Sequence, residues 1–110
     1  MVNPTAVRVP VIYGHSEAIH VEFKKPIKAE DARSILTKAP GVKVVDNTAK
    51  ARYPTVLQHA AGHDEVFVGR IRQDISHPNG LDMWVVADNI RKGAATNAVQ
   101  IAEILQREYL

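Results

Sequence analysis

The stretch EVFVGRIRQDISHPNGLDMWVVAD, residues 65–88, decides the fold, because it holds two strand-like runs around a turn. The first run divides into two alternating sets: Val66, Val68 and Arg70 against Phe67, Gly69 and Ile71. Such alternation predicts a half-exposed strand. The central ISHPNG, with its Pro and Asn-Gly, is typical of a turn, and LDMWVVAD predicts the next strand.

A second apolar stretch, RVPVIYGHSEAIHVEF at residues 8–23, lies near the amino terminus. It predicts two strands, Val7–Ile12 and Ala18–Phe23, on either side of a polar interruption at 13–17. In the first strand, the side chain of Arg8 would point to the face opposite to that of the valine side chains. Arg8 and His15 could therefore meet at one rim of a sheet, where binding residues often lie.

Between and after these strands the pattern changes to helical. KAEDARSILTKAPG predicts a helix over 28–38, and the last twenty residues predict another over roughly 90–108. VKVVD predicts a short strand over 42–46, followed by a long loop over 47–64 with a helical turn. The order β-β-α-β-loop-β-β-α predicts a single α+β domain, 1–110, with a mixed, mostly antiparallel sheet and helices packed on one face.

Composition excludes several classes of protein. The 110 residues are 45% hydrophobic and 24% charged, with a formal net charge of +2. No basic stripe is interleaved with aromatic residues, so we expect no nucleic-acid partner. The chain has no cysteine, which excludes a disulfide, a Cys-based zinc site and a thiol nucleophile within it. No apolar run approaches about 20 residues, so we expect no membrane span and a cytoplasmic location.

The histidines do not predict a metal site. His59 and His63 would share a face only in a helix, which Gly62 opposes, and no acid completes a convincing third ligand. His20 is interpreted as a solvent-facing strand residue. Gly93 alone does not make a phosphate-binding loop, and it permits close packing of the final helix.

The pair Arg8 and His15 has two interpretations from the residues alone. One is a surface arginine and a histidine in a turn. The other is a functional pair, since an arginine fork binds a carboxylate through two bonds and a histidine moves protons near neutral pH.

Two long segments resemble the aspartate-semialdehyde dehydrogenase family: AVRVPVIYGHSEAIHVEF and GRIRQDISHPNGLDMWVVADNIRKGAATNAVQIAEIL. The resemblance implies a glyceraldehyde-3-phosphate-dehydrogenase-like carboxy-terminal domain, in part, of an enzyme that uses NADP to convert aspartyl phosphate to aspartate semialdehyde. It implies that Arg8 holds the substrate carboxylate and that His15 is the general acid/base. Asn89 and Gly93 would contact the cofactor near its nicotinamide end.

The same resemblance shows that several functional elements of the family are missing from this chain. The family's nucleophilic cysteine, the glutamine beside it and the Gly-rich nucleotide loop have no counterpart in this chain. We therefore expect the carboxy-terminal portion of a catalytic and dimerisation domain, without the nucleotide-binding domain. Alone it should be inactive and bind no NADP, and it should form a homodimer. Two alternatives remain open: a related acyl-phosphate reductase of the N-acetyl-glutamyl-phosphate type, and a non-catalytic dimerisation module.

Overall fold

The computed structural model describes residues 2–110, and its core is a four-stranded sheet. The elements are β1 (His15–Glu22), α1 (Ala29–Lys38), β2 (Val42–Val44), β3 (Val66–Gln73), β4 (Gly80–Ala87) and α2 (Ala95–Tyr109), with short helical turns at Thr48–Lys50 and Val56–Ala60. The strand order is β1-β4-β3-β2; β2 runs parallel to β3, and the other pairs are antiparallel. The predicted α+β class with a mixed, mostly antiparallel sheet is confirmed.

One face of the sheet packs against α1. The buried residues of this layer are Ala29, Ala32, Val68, Ile71 and Leu81. The two alanines let the helix approach the sheet closely, and the aliphatic strand residues fill the space beneath it. The predicted helix over 28–38 is thus confirmed, with its apolar side on β2 and β3.

The opposite face is covered only in part, by the turn Val56–Ala60. Ala60 of this turn is buried together with the strand residues Phe67 and Val86 beneath it. Next to the turn, towards β1, lies a groove with a volume of about 870 Å³ whose walls include Ala18, Leu57 and Trp84. This surface is called the groove face below.

A buried carboxylate joins α1, the end of β2 and the middle of β3. The Asp46 side chain is 2% exposed and accepts hydrogen bonds from Nε and NH2 of Arg33, at 3.0 and 2.8 Å. It also accepts the backbone N–H groups of Arg70 and Ile71, at 2.9 and 3.2 Å. These two amides belong to an irregularity in the β3–β4 register, where Arg70 has φ +55°. Asp46 therefore stabilises a β-bulge in β3.

The bulge overturns the simple alternation predicted for β3. Ile71 was assigned to the face of Phe67 and Gly69, yet it packs with Val68 in the layer under α1. Because the bulge inserts one extra residue, faces exchange after Gly69, and Arg72 pairs with Asp82 on the groove face.

The predicted first strand, Val7–Ile12, is wrong. Residues 2–13 are irregular and exposed, and the strand that follows begins at His15 rather than at Ala18. Pro10 has no N–H to donate to a sheet, and Val11 donates its N–H to the carbonyl of Val9 in a tight local turn.

The final helix differs from its prediction in start and in packing. Residues 89–94 form turns, in which Gly93 has φ +78° and Ala94 has φ −139° and ψ −131°, and α2 begins at Ala95. None of its residues is buried, so the prediction that it packs on the sheet is wrong. Among residues 2–110, no helix combines the length and the apolar content that crossing a membrane requires.

An ionic cluster lies on the groove face, around the cross-strand pair of His20 and Asp82. Nδ1 of His20 lies 3.1 Å from Oδ1 of Asp82 and 3.8 Å from Oδ2 of Asp74, and its Nε2 lies 3.6 Å from Oε1 of Glu22. The hydrogen bond with Asp82, against the opposing effect of burial, raises the pKa of His20. Arg72 lies 3.4 Å from the other oxygen of Asp82. The predicted solvent exposure of His20 is confirmed, at 45% of its side chain.

Replacement of Asp46 by alanine should destabilise the fold strongly. The change leaves the Arg33 guanidinium without its carboxylate and two bulge amides without an acceptor, at a cost of about 3 kcal/mol. Urea unfolding of the chain measures this loss. The control is Lys43→Ala, which removes the exposed pair of Lys43 with Glu65 and should cost a small fraction of that amount. Equal losses in the two variants would contradict the assigned role of Asp46.

Replacement of His20 by glutamine should flatten the pH dependence of stability. The pKa of His20 in the folded protein lies above its ordinary value of 6.5, so protonated His20 contributes its full stabilisation below pH 6.5. This contribution is lost as the pH rises through the raised pKa. The Tm of the unchanged chain should therefore fall between about pH 6 and pH 8, and less so in the variant. His63→Gln is the control, since no carboxylate of residues 2–110 hydrogen-bonds that ring. Identical Tm slopes in all three proteins would exclude the cluster as the cause.

Candidate active-site rim

The carboxyl end of β4 and the start of β1 form one rim of the sheet. His15, the first residue of β1, lies opposite Ala87, the last residue of β4. Asp88 and Asn89 follow directly, so that the antiparallel register brings the predicted residues His15 and Asn89 together. We call residues 14–15 and 87–89 the rim.

Gly14 connects the two sides of the rim. Its N–H donates to Oδ1 of Asn89 at 2.6 Å. Gly14 is buried and has φ +88°, and a Cβ atom there would clash with the side chain of Val56 and lie 3.1 Å from the carbonyl oxygen of Ala87. Only glycine combines this left-handed backbone with so close an approach. The peptide before His15 is therefore held tightly.

Asp88 holds the other side of the rim in place. It is 4% exposed, and its carboxylate accepts the N–H of Gly62 at 2.8 Å and that of Ile90 at 2.9 Å. These two amides, the first most strongly, lower the pKa of Asp88 in spite of its burial. The carboxylate is thus ionised at neutral pH and ties the chain just after the helical turn Val56–Ala60 to the end of β4.

A surface ion pair continues the rim towards α2. Arg91 donates from NH1 to Oδ1 of Asp64 at 2.7 Å, and its Nε lies 4.0 Å from Oδ2 of Asp88. The hydrogen bond lowers the pKa of Asp64 and raises that of Arg91. Arg91 is therefore engaged by two acids and is not available as a free cation.

The predicted site residues are divided between this rim and its surroundings. His15 is exposed, and within residues 2–110 its ring makes no hydrogen bond, so both ring nitrogens are accessible. Arg8 is exposed in the irregular segment, and within the same residues it has no acid or hydrogen-bond acceptor. Gly93 is exposed in the turn beyond Asn89, with no atom within 4 Å of where a Cβ would be.

Two of the other histidines, His59 and His63, contact an aromatic ring. The rings of His59 and His63 lie 5.8 and 5.9 Å from that of Phe67, and Nδ1 of His59 accepts the N–H of Thr55. Donor atoms of His20, Asp74 and Asp82 lie within 4.8 Å of one another. Their mutual contacts and the bonds from Ser76 to Asp74 account for that arrangement. The absence of a metal site stays a prediction.

Sequence reasoning missed Gly14 and Asp88 as parts of the rim. A signal for Asp88 was available, because an Asp after a strand commonly accepts the amide two residues on, as it does here from Ile90. Gly14 could be marked as a turn residue, but its contact with Val56 depends on a chain segment far away in sequence.

The rim can supply proton transfer but not covalent chemistry. An exposed imidazole can give and take a proton, and an exposed guanidinium can bind a carboxylate. A thiolate nucleophile is absent from the 110 residues, since they include no cysteine.

Comparisons with known proteins identify the family of this chain. The family described as semialdehyde dehydrogenase, dimerisation domain, matches residues 1–92. The chain is 78% identical over its whole length to the aspartate-semialdehyde dehydrogenase of Legionella pneumophila and 61% identical over 109 residues to that of Aquifex aeolicus. It covers 32% of each relative, about a third of their length.

Solved structures give the same result. The crystal structure of aspartate semialdehyde dehydrogenase II from Vibrio cholerae has a TM-score of 0.91 at 56% identity, over all of this chain and 32% of that protein. A second structure of that enzyme, also with a TM-score of 0.91, is described as complexed with ASA. Sequence, fold and rim together show that this chain belongs to the semialdehyde dehydrogenase dimerisation-domain family.

Proposed function

We propose that this chain is the carboxy-terminal portion of the catalytic and dimerisation domain of an NADP-dependent aspartate-semialdehyde dehydrogenase. The full-length protein would convert L-aspartyl 4-phosphate to aspartate semialdehyde in the cytoplasm, as a step of amino-acid biosynthesis. The observation that carries this proposal is the 78% identity along all 110 residues with the Legionella pneumophila enzyme. The complex of the Vibrio cholerae relative with ASA supports the choice of substrate.

His15 acts as the general acid/base in this proposal. A cysteine from the rest of the protein would attack the acyl phosphate and displace phosphate, leaving a thioester. Once a hydride has reduced this thioester, the oxygen of the resulting thiohemiacetal needs a proton, and its later collapse to the aldehyde needs that proton removed. His15 suits this task because its ring is exposed and free of hydrogen bonds within residues 2–110. Its backbone, by contrast, is held by the pairing of β1 with β4.

Arg8 binds the carboxylate of the substrate. The side chain is exposed, and no acid of the described part of the chain engages it, so no existing ion pair must break before a substrate binds. A guanidinium fork would orient a carboxylate through two parallel bonds, which a lysine could not reproduce.

The cofactor, in its reduced form NADPH, would supply a hydride when bound. Asn89 and Gly93 would contact its nicotinamide end: in residues 2–110 the side-chain NH2 of Asn89 has no acceptor, and open space surrounds the Cα of Gly93. Both features fit a contact at the edge of a dinucleotide, whose main binding elements would lie in the nucleotide domain. The apolar residues of α2, Val99, Ile101, Ile104 and Leu105, are exposed and would pack against that same domain.

The groove face is the surface on which a second copy would bind. It exposes Leu57 at 89% and Val11 at 50%, beside Ala18 and Trp84. An apolar groove of this size on a sheet face is typical of a subunit interface. The description of the matched family as a dimerisation domain supports a homodimer.

Replacement of His15 by asparagine in the full-length protein should lower turnover by about 10²- to 10⁴-fold, with KM changed less. The measurement is NADP-dependent formation of aspartate semialdehyde from aspartyl phosphate. His63→Asn is the control and should leave turnover unchanged. The 110-residue chain, without a nucleophile, should give no product. Unaltered turnover in the His15 variant, or turnover only with N-acetyl-glutamyl phosphate, would refute the proposal.

Replacement of Ala18 by glutamate should weaken self-association by about tenfold or more, because it places a charge in the apolar groove. Sedimentation velocity across a range of concentrations measures the effect. The control, Ser34→Glu, adds the same charge to an exposed position of α1 and should leave association unchanged. A monomer at all concentrations of the unchanged protein would contradict the proposed dimer.

A further inference from the structure

We propose that Asn89 is a positioning residue for His15: its side-chain oxygen, by holding the amide of Gly14, fixes the direction in which the imidazole leaves the rim. This inference rests on the proposed function, in which His15 moves the proton. It assigns to the carboxamide oxygen of Asn89 a task separate from any contact of its NH2 group with the cofactor.

The first support is the position of the bond in the chain. Residues 2–13 form no part of the sheet, and the regular pairing of β1 starts at His15. The N–H of Gly14 is therefore the last backbone donor before the sheet begins, and Asn89 accepts it at 2.6 Å. That N–H belongs to the peptide between Tyr13 and Gly14, so without the acceptor this peptide, which leads into β1, would lose its hydrogen bond to the end of β4.

The second support is that the His15 ring has no hydrogen bond of its own within residues 2–110. A side chain without such a bond takes its direction from its backbone and from the rotamers that the backbone allows. A shift of the backbone at Gly14 is thus transmitted through the backbone of His15 to the ring, and a displacement of about 1 Å in a catalytic group can cost 10²-fold in rate.

The third support is that Asn89 is itself fixed. The buried carboxylate of Asp88, the residue before Asn89, accepts the amides of Gly62 and Ile90. The carbonyl of Asp88 accepts the N–H groups of Arg91 and Lys92, at 3.1 and 2.8 Å. The carboxamide therefore projects from a rigid base and can hold Gly14 in place.

The chemistry of the contact gives a selective test. Only an acceptor oxygen is required, and aspartate presents one at the same distance from the backbone, whereas alanine presents none. Aspartate also removes the NH2 group that a cofactor contact would use. The two substitutions at Asn89 therefore separate the positioning task from the cofactor task.

The experiment compares the full-length protein with its Asn89→Ala and Asn89→Asp variants. We expect Asn89→Ala to lower kcat by about 10- to 100-fold, with KM for NADP and for substrate within about threefold of the original values. Asn89→Asp should recover most of kcat, because its carboxylate oxygen can still accept the N–H of Gly14. The control is Asn47→Ala, which also removes an oxygen that accepts a backbone amide, that of Lys50 at 3.0 Å, but beyond β2 at the opposite edge of the sheet.

A second measurement reads the bond itself. Hydrogen exchange of the full-length protein should become about tenfold faster, or more, at the amide of Gly14 in the alanine variant and stay slow in the aspartate variant and the control. A rise in the KM for NADP at unchanged kcat, or equal damage from alanine and aspartate, would overturn the inference. If the unchanged protein shows no dehydrogenase activity, the proposed function fails, and the exchange result alone still decides whether Asn89 holds Gly14.

Discussion

The carboxylate of Asp46 is the interaction on which the rest of the structure depends. It accepts bonds from a helix side chain and from two strand amides, so that one buried charge joins α1, β2 and β3. Burial of a lone carboxylate is costly, and here four donors compensate for the lost hydration. The bond from Arg33 to the carbonyl of Ile71 closes the same network. The position of the bulge, and with it the face of every later residue of β3, follows from this contact.

A buried carboxylate that accepts backbone amides is found at the rim as well. Asp88, like Asp46, is a buried acid that accepts amides where the chain leaves regular structure. Among residues 2–110 no buried side-chain nitrogen or oxygen lacks a hydrogen-bond partner. Rigidity in this small domain thus comes from satisfied polar groups at the strand ends as well as from the apolar layers. His15 lies next to such a strand end, where side-chain acceptors take over from the backbone pairing of the sheet.

Local patterns predicted α1 and the pair β3–β4 well, because periodicity, turn residues and helix-stopping residues all agreed there. They failed where a distant residue decided the outcome. The alternation in β3 could not reveal the bulge, which depends on Asp46, and the valines before His15 looked like a strand although Pro10 and the lack of a neighbouring strand prevent one. The hydrogen bond from Gly14 to Asn89 could not be predicted from local patterns either, since the two residues lie 75 positions apart.

The register of β1 also sets an order of events during folding. Its contacts with β4 close a loop of 62 residues at the pair His20 and Asp82, whereas β3 and β4 meet across one tight turn. Loop closure costs more entropy as the loop lengthens, so that local pairs form before distant ones. On a ribosome, moreover, β1 emerges long before β4, its neighbour in the sheet that residues 2–110 form. β1 therefore cannot pair with β4 until β4 has been synthesised, and the rim is assembled when the central hairpin is already available as a template.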